Sequence, residues 1–218
     1  MNEIYSYFKR IKSFSFNARL YLLASFIGAL YYSVYSVLGN IYIMKAGLNE
    51  SFLGTMISIG SISSVLFALP AGALSDRIGR RKTMLIAGTL GAISNIVMVL
   101  FPVAPVILVC TVVGGASGAM MMVTYAPFLT ENSTGTERTH LFSIAFATNT
   151  ISGIGGSFIG GTMPIIWGRV LSVAPDTLLA YRATLLTTLL IFSISIIPFI
   201  YISERKIERV AIPIKFSF

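Results

Sequence analysis

The chain has 218 residues, of which 55% are hydrophobic and only 11% charged, with a formal net charge of +8 and a single cysteine, Cys110. Its mean hydropathy is +0.83, and its charged fraction is about half the quarter usual in soluble domains. A water-soluble globule, a disordered chain and a disulfide-stapled secreted domain are therefore excluded, which leaves an integral membrane protein.

A helix that spans the hydrocarbon core needs about 20 largely apolar residues. The charge-free runs supply them in chain order: 20–44, 51–75, 83–130, 139–168 and 183–203. The third run has room for two spans, with Pro102 and Pro105 marking the turn between them. Six helices are expected, at 20–44, 52–75, 83–101, 105–129, 141–167 and 183–203, within a transmembrane domain covering 19–203. Residues 1–18 are a charged amino-terminal segment, and 204–218 a tail or the start of a linker. The runs are twice the length of barrel strands and do not alternate apolar with polar, so the fold class is all-α. The first run exceeds the apolar core of a cleaved signal and has no small-residue cleavage pattern.

Basic residues orient the chain. With the amino terminus inside, the inner segments hold Lys9, Arg10, Lys12 and Arg19, then Arg77, Arg80, Arg81 and Lys82, then Arg138, then Arg205, Lys206, Arg209 and Lys215. Only Lys45, Arg169 and Arg182 fall outside. This asymmetry predicts both termini on the cytoplasmic side of the inner cell membrane, with the lipid bilayer as the first partner of the basic segments. No soluble face gathers these charges, so no nucleic-acid partner is expected.

On the first helix, steps of 100° place Gly28, Tyr31, Tyr32, Tyr35 and Gly39 on one face, beside a polar stripe of Ser33, Ser36 and Asn40. Such a face belongs toward the bundle or a wet cavity, either for close packing or as the wall of a solute path. Tyr32, Tyr35 and Asn40 are the candidates for the second role. The fourth helix aligns Thr111, Gly114, Gly118, Met121, Met122 and Tyr125; its two glycines allow close helix approach, and Met121 and Tyr125 are further cavity candidates. The fifth helix aligns Asn149, Gly153, Gly156 and Gly160 in a groove that asks for a partner helix. No acidic or basic residue lies inside any span.

The segment between the second and third helices reads Gly72-Ala-Leu-Ser-Asp76-Arg77-Ile-Gly79-Arg80-Arg81-Lys82. It resembles the signature loop of the major facilitator superfamily, G-x-L-x-D-R-x-G-R-R-K, at every defined position. The resemblance extends over most of the chain and corresponds to the amino-terminal six-helix half of a twelve-helix secondary carrier. It implies two three-helix inverted repeats, rocker-switch alternating access and transport of a small solute, with the first and fourth helices lining the cavity. It further implies that the second and fifth helices, with the glycine groove, meet the other half. In that half, Asp76 would meet a helix end, with Arg77, Arg80 and Arg81 in the same charge cluster. Cys110 stands where an arginine often opens the family's fourth-helix glycine pattern. Gly156-Ser157-Phe158-Ile159-Gly160-Gly161 lacks the proline of the antiporter pattern. Arg138 fits the usual basic residue of its loop, and Glu131 and Glu137 are expected to be solvated loop charges.

The second half would be a missing carboxy-terminal half, a separate chain or a second copy of this one. An inactive carrier fragment and a non-transporting scaffold or regulator are the rival readings. Gly115-Ala116-Ser117-Gly118 resembles the nucleophile motif of intramembrane proteases, but His140, the only histidine, lies before the fifth helix. Ser117 is thus expected to be a packing residue. No metal cluster, phosphate loop or second thiol is present in the sequence, so neither enzyme activity nor a cofactor is expected.

Overall fold

The structure is a computed structural model and describes residues 14–203. Of these, 87% are helical and none lies in a strand. The helices are α1 (Phe16–Lys45), α2 (Glu50–Ile78), α3 (Arg80–Leu100), α4 (Ala104–Glu131), α5 (Gly135–Val170), α6 (Leu178–Ile194) and α7 (Ile197–Tyr201). Four starts carry side-chain caps. Ser15 accepts from the Ala18 N–H (3.2 Å), Asn49 from Phe52 (2.9 Å) and Thr177 from Ala180 (3.3 Å), and Thr134 with Glu137 forms a capping box. Gly79 ends α2 and begins α3 at φ 96°, a conformation that disfavours any side chain.

The helices overrun the charge-free runs. α5 begins at Gly135 rather than near 141, because its first turn uses Glu137 for the cap and charged residues are good helix formers. The stretch 183–203 is not one helix. Pro198 has no N–H to offer the Ile194 carbonyl, so the ladder breaks at Ser195 and Ile196, where three-residue turns run from Phe192 and Ser193, and α7 starts afresh. Among the described residues, five segments are long and apolar enough to cross a bilayer: α1, α2, α3, α4 and α6 with α7. α5 has the length, 36 residues, but Gly, Ser, Thr and Asn dilute its apolar content.

α1 packs chiefly on α5, and α2 on α4, while α3 lies against α4 and α6 covers α1 and α3. At the α1–α5 crossing, Ser33 donates to the Gly153 carbonyl (2.6 Å) and pairs with Ser157 (2.9 Å), and a Cβ at Gly156 would strike the Leu30 carbonyl. At the α2–α4 crossing, Ser63 donates to the Val112 carbonyl (2.7 Å), and a Cβ at Gly115 would lie 2.7 Å from the Gly60 carbonyl. In each case a serine sits over a glycine and bonds the carbonyl three residues before it. Lipid tails are as apolar as leucine, so backbone approach and hydroxyl bonds, rather than apolar burial, hold such crossings together.

Two clusters close the ends. Tyr21, Met84, Phe128, Leu141 and Phe199 fill one, and Val34, Tyr42, Val99, Ile107 and Leu185 the other. Beyond the first, the Asn17 carboxamide bonds Asn132 and the Ser203 carbonyl (both 2.8 Å), and accepts from the Ser203 N–H (3.1 Å). Beyond the second, the Tyr42 hydroxyl donates to the Val99 carbonyl (2.6 Å) and accepts from Arg182 (3.1 Å). There too Lys45 pairs with Asp176 at 3.0 Å, and the ammonium holds the Asp176 carboxyl below its ordinary pKa. The outer faces of α2 and α5 are mostly apolar, with Leu69 86% and Phe158 72% exposed. That surface suits lipid and would aggregate in water.

Candidate functional site

Between the two end clusters lies a cavity of about 1050 Å3, bounded by residues of α1 to α6 and by Phe199 of α7. One side is aromatic: Tyr21, Tyr31, Tyr32 and Tyr35 of α1 face it with Phe192 and Phe199. The opposite side, from α2, α3 and α4, carries sulfur, glycine and small polar groups, including Met56, Met98, Cys110 and Met121. Among the described residues, no acidic, basic or histidine side chain lines it. Several of its polar donors are committed to their own helices: Ser36 to the Ser33 carbonyl (2.8 Å), Ser61 to Ile57 (2.9 Å), Asn95 to Gly91 (2.7 Å) and Thr111 to Ile107 (2.8 Å). Such a wall receives an apolar body with a few polar groups and gives no counter-charge to an ion.

Of the candidate cavity residues, Tyr32, Tyr35 and Met121 lie on this wall. Tyr32 is 73% exposed, and the Tyr35 hydroxyl rests 3.7 Å from Met98 Sδ. Asn40 and Tyr125 do not line it. Asn40 is exposed about three turns beyond Gly28 toward Lys45. Tyr125 packs beside Tyr21 (5.8 Å) and edge-on to Phe142 (5.7 Å) in the end cluster. Both share a helix face with cavity residues but sit too far along the helix.

The glycine stripes divide. Gly114, Gly118 and Gly153 line the cavity, and a Cβ at any of them meets nothing within 4 Å, so they widen the space rather than seat a helix. Asn149 is also on the cavity wall. Gly156 and Gly160 press on α1, where a Cβ at Gly160 would stand 3.5 Å from Val34 and Val37. The partner helix that this groove asks for is α1 of the same chain. On α3, Gly88, Gly91, Ser94 and Asn95 also line the cavity, and sequence reading passed over them. Their three- and four-residue spacing was a legible signal of a second polar face.

At the Asp76 end, Arg80 gathers its neighbours. It donates to Asp76 (2.7 Å), Ser75 (2.8 Å) and Glu131 (3.2 Å). The Arg80 side chain is 20% exposed and that of Glu131 27%, whereas that of Asp76 is 68% exposed. Arg81 leaves this cluster and donates to the Phe199 (3.3 Å) and Ile200 (2.5 Å) carbonyls. Cations suit such a helix carboxyl end. Arg77 and Lys82 are exposed, Gly79 makes the turn, and a Cβ at Gly72 would meet nothing. Glu131 and Glu137 were expected to be solvated; one instead ties the end of α4 to Arg80, and the other caps α5. Glu131 is the partner that sequence reading missed, and its place at the helix end on the same side as Arg80 was the available clue. The Ser117 hydroxyl donates to the Ala87 carbonyl (2.6 Å), a packing contact with α3.

The sequence model of the Major Facilitator Superfamily matches residues 20–215. No curated protein matches the chain significantly.

Proposed function

Because the chain belongs to the Major Facilitator Superfamily, a family of transporters, and is a multi-pass membrane protein, we propose that it forms the amino-terminal six-helix half of a secondary carrier. In this reading the carrier moves a small uncharged or zwitterionic solute across the cytoplasmic cell membrane by alternating access. Residues 19–203 are the transmembrane domain, the segments 1–18 and 204–218 are cytoplasmic, and the second half is a carboxy-terminal half, a separate chain or another copy. The α1–α5 and α2–α4 crossings support an internal repeat, since exchanging α1 with α4 and α2 with α5 turns one into the other.

The observation that carries the reading is the uncharged cavity of about 1050 Å3 with Tyr32, Tyr35 and Met121 on its wall. The charge cluster supports the accompanying gate. Arg80 fastens Asp76 to α4 through Glu131, while the exposed Asp76 carboxylate remains available to a helix amino terminus of the opposite half.

The test is uptake of radiolabelled uncharged and zwitterionic solutes by vesicles that contain the complete carrier. Tyr32→Ala and Tyr35→Ala each lower uptake of the accepted solute about tenfold, the equivalent of one lost aromatic contact. Asn40→Ala leaves it unchanged. Uptake indifferent to both tyrosines overturns the cavity assignment and favours a scaffold.

A further inference from the structure

A second space, of about 250 Å3, lies between α1, α5 and α6, lined by Ile27, Leu30, Val34, Ile159, Met163 and Ile191 among others. Its threonines offer no donor: Thr162 bonds the Phe158 carbonyl (2.9 Å) and Thr188 the Thr184 carbonyl (2.9 Å). Ile166 and Ile191, 56% and 48% exposed, form its rim on a flank that meets lipid. A charged or strongly hydrated solute finds nothing in this groove to replace its water, whereas an apolar one enters freely.

Tyr31 belongs to the walls of both spaces. On α6, Ile191 lines the groove and the next residue, Phe192, lines the central cavity. The Tyr31 and Phe192 rings stack at 4.8 Å and 23°, so the partition is one pair of rings thick. Three further features make it movable. Gly28 leaves the Phe192 ring unobstructed, since a Cβ there would stand 3.6 Å away. The α6 ladder breaks at Ser195, three residues beyond Phe192. The Tyr31 hydroxyl is buried without a hydrogen-bond partner, in a residue only 7% exposed. An orphaned hydroxyl destabilises the closed arrangement, and the ring is held by its contacts with Phe192 and Tyr35 rather than by a hydrogen bond.

We propose that Tyr31 and Phe192 form a side gate through which a lipid-soluble, uncharged solute passes between the bilayer and the central cavity. This rests on the cavity being the solute site, and it adds the solute's chemistry: it partitions into membranes before it is bound. Swinging the Tyr31 ring joins groove to cavity and releases its hydroxyl to the acceptor oxygens of the cavity serines.

Cys110, the only cysteine, lies on the cavity wall and reports on arrival there. In membranes that hold the complete protein, its alkylation is followed with N-cyclohexylmaleimide, which dissolves in the bilayer, and with a sulfonated maleimide, which does not. Tyr31→Ala raises the rate for the apolar reagent about tenfold and leaves the sulfonated reagent unchanged, as expected when an unsatisfied partition is removed. Adding Ile191→Trp, which fills the groove, cancels the gain. Phe192→Ala gives the same selective gain should Tyr31→Ala not fold. Tyr31→Phe keeps the ring, loses the orphaned hydroxyl and labels no faster than the unaltered protein. Equal acceleration of both reagents, or a gain that survives Ile191→Trp, overturns the gate. The cavity assignment stands or falls separately, on the uptake of the Tyr32→Ala and Tyr35→Ala proteins.

Discussion

The α1–α5 and α2–α4 crossings use one device in two strengths. At the first, Ser33 reaches both the Gly153 carbonyl and Ser157, and Gly156 is buried against the Leu30 backbone. At the second, Ser63 bonds only Val112, and glycine appears on both helices, as Gly60 and Gly115. Both crossings thus rest on close backbone approach, closer at the first, where Ser33 adds a second hydroxyl bond. The difference teaches that close approach inside a membrane is a property of a residue pair across two helices, which a glycine count along one helix does not reveal.

The largest expected effect breaks the crossings outright. Gly156→Ala and Gly115→Ala each force a Cβ into a backbone carbonyl and destabilise the bundle by about 1–3 kcal/mol, Gly156→Ala more than Gly115→Ala. Thermal unfolding in detergent measures both. Their effects add, because the two sites share no partner. Gly114→Ala, one residue from Gly115 but facing open space, is neutral or stabilising by about 0.5–1 kcal/mol. If Gly114→Ala proved as harmful as Gly115→Ala, the distinction between cavity glycines and crossing glycines would be lost.

Next come the hydroxyls. Ser63→Ala costs about 0.6 kcal/mol, and Ser33→Ala, with two partners to lose, about 1 kcal/mol. The same unfolding measurement ranks them, and the reverse order would contradict the richer hydroxyl bonding assigned to the first crossing.

The smallest effect lies outside both crossings, at Lys45 and Asp176. Since the Asp176 pKa is lowered in the folded protein, its contribution is complete above the ordinary aspartate value and fades as pH falls through the lowered one. The pair is exposed, so the change is slight and salt erases it. Unfolding temperatures of the parent and Asp176→Asn proteins converge at acidic pH and separate marginally near neutrality.

Much of the architecture was legible because charges are so sparse that their positions bracket the helices. The same method hid the first turn of α5, where Glu137, Arg138 and His140 look like loop, although Thr134 and Glu137 spell a capping box. For the site, a 100° step finds the face that Tyr32, Tyr35 and Met121 share but says nothing of depth. It therefore swept in Asn40 and Tyr125, whose helices outrun the cavity. Nor does periodicity separate Gly114 from Gly115, since the distinction depends on what stands across the gap. Reading α1, α4 and α5 for polar stripes while passing over α3 left Gly91 and Asn95 unnoticed.

The Asn17 carboxamide has a consequence in time as well as in space. Its contact with Ser203 joins residues 186 positions apart, so during synthesis the Asn17 side chain waits for the turn after α7 to emerge. Until then a polar head that ends up buried has to remain wet, and the opening helix stays unlatched at that end. The bundle therefore latches at this end only after α7 has been made.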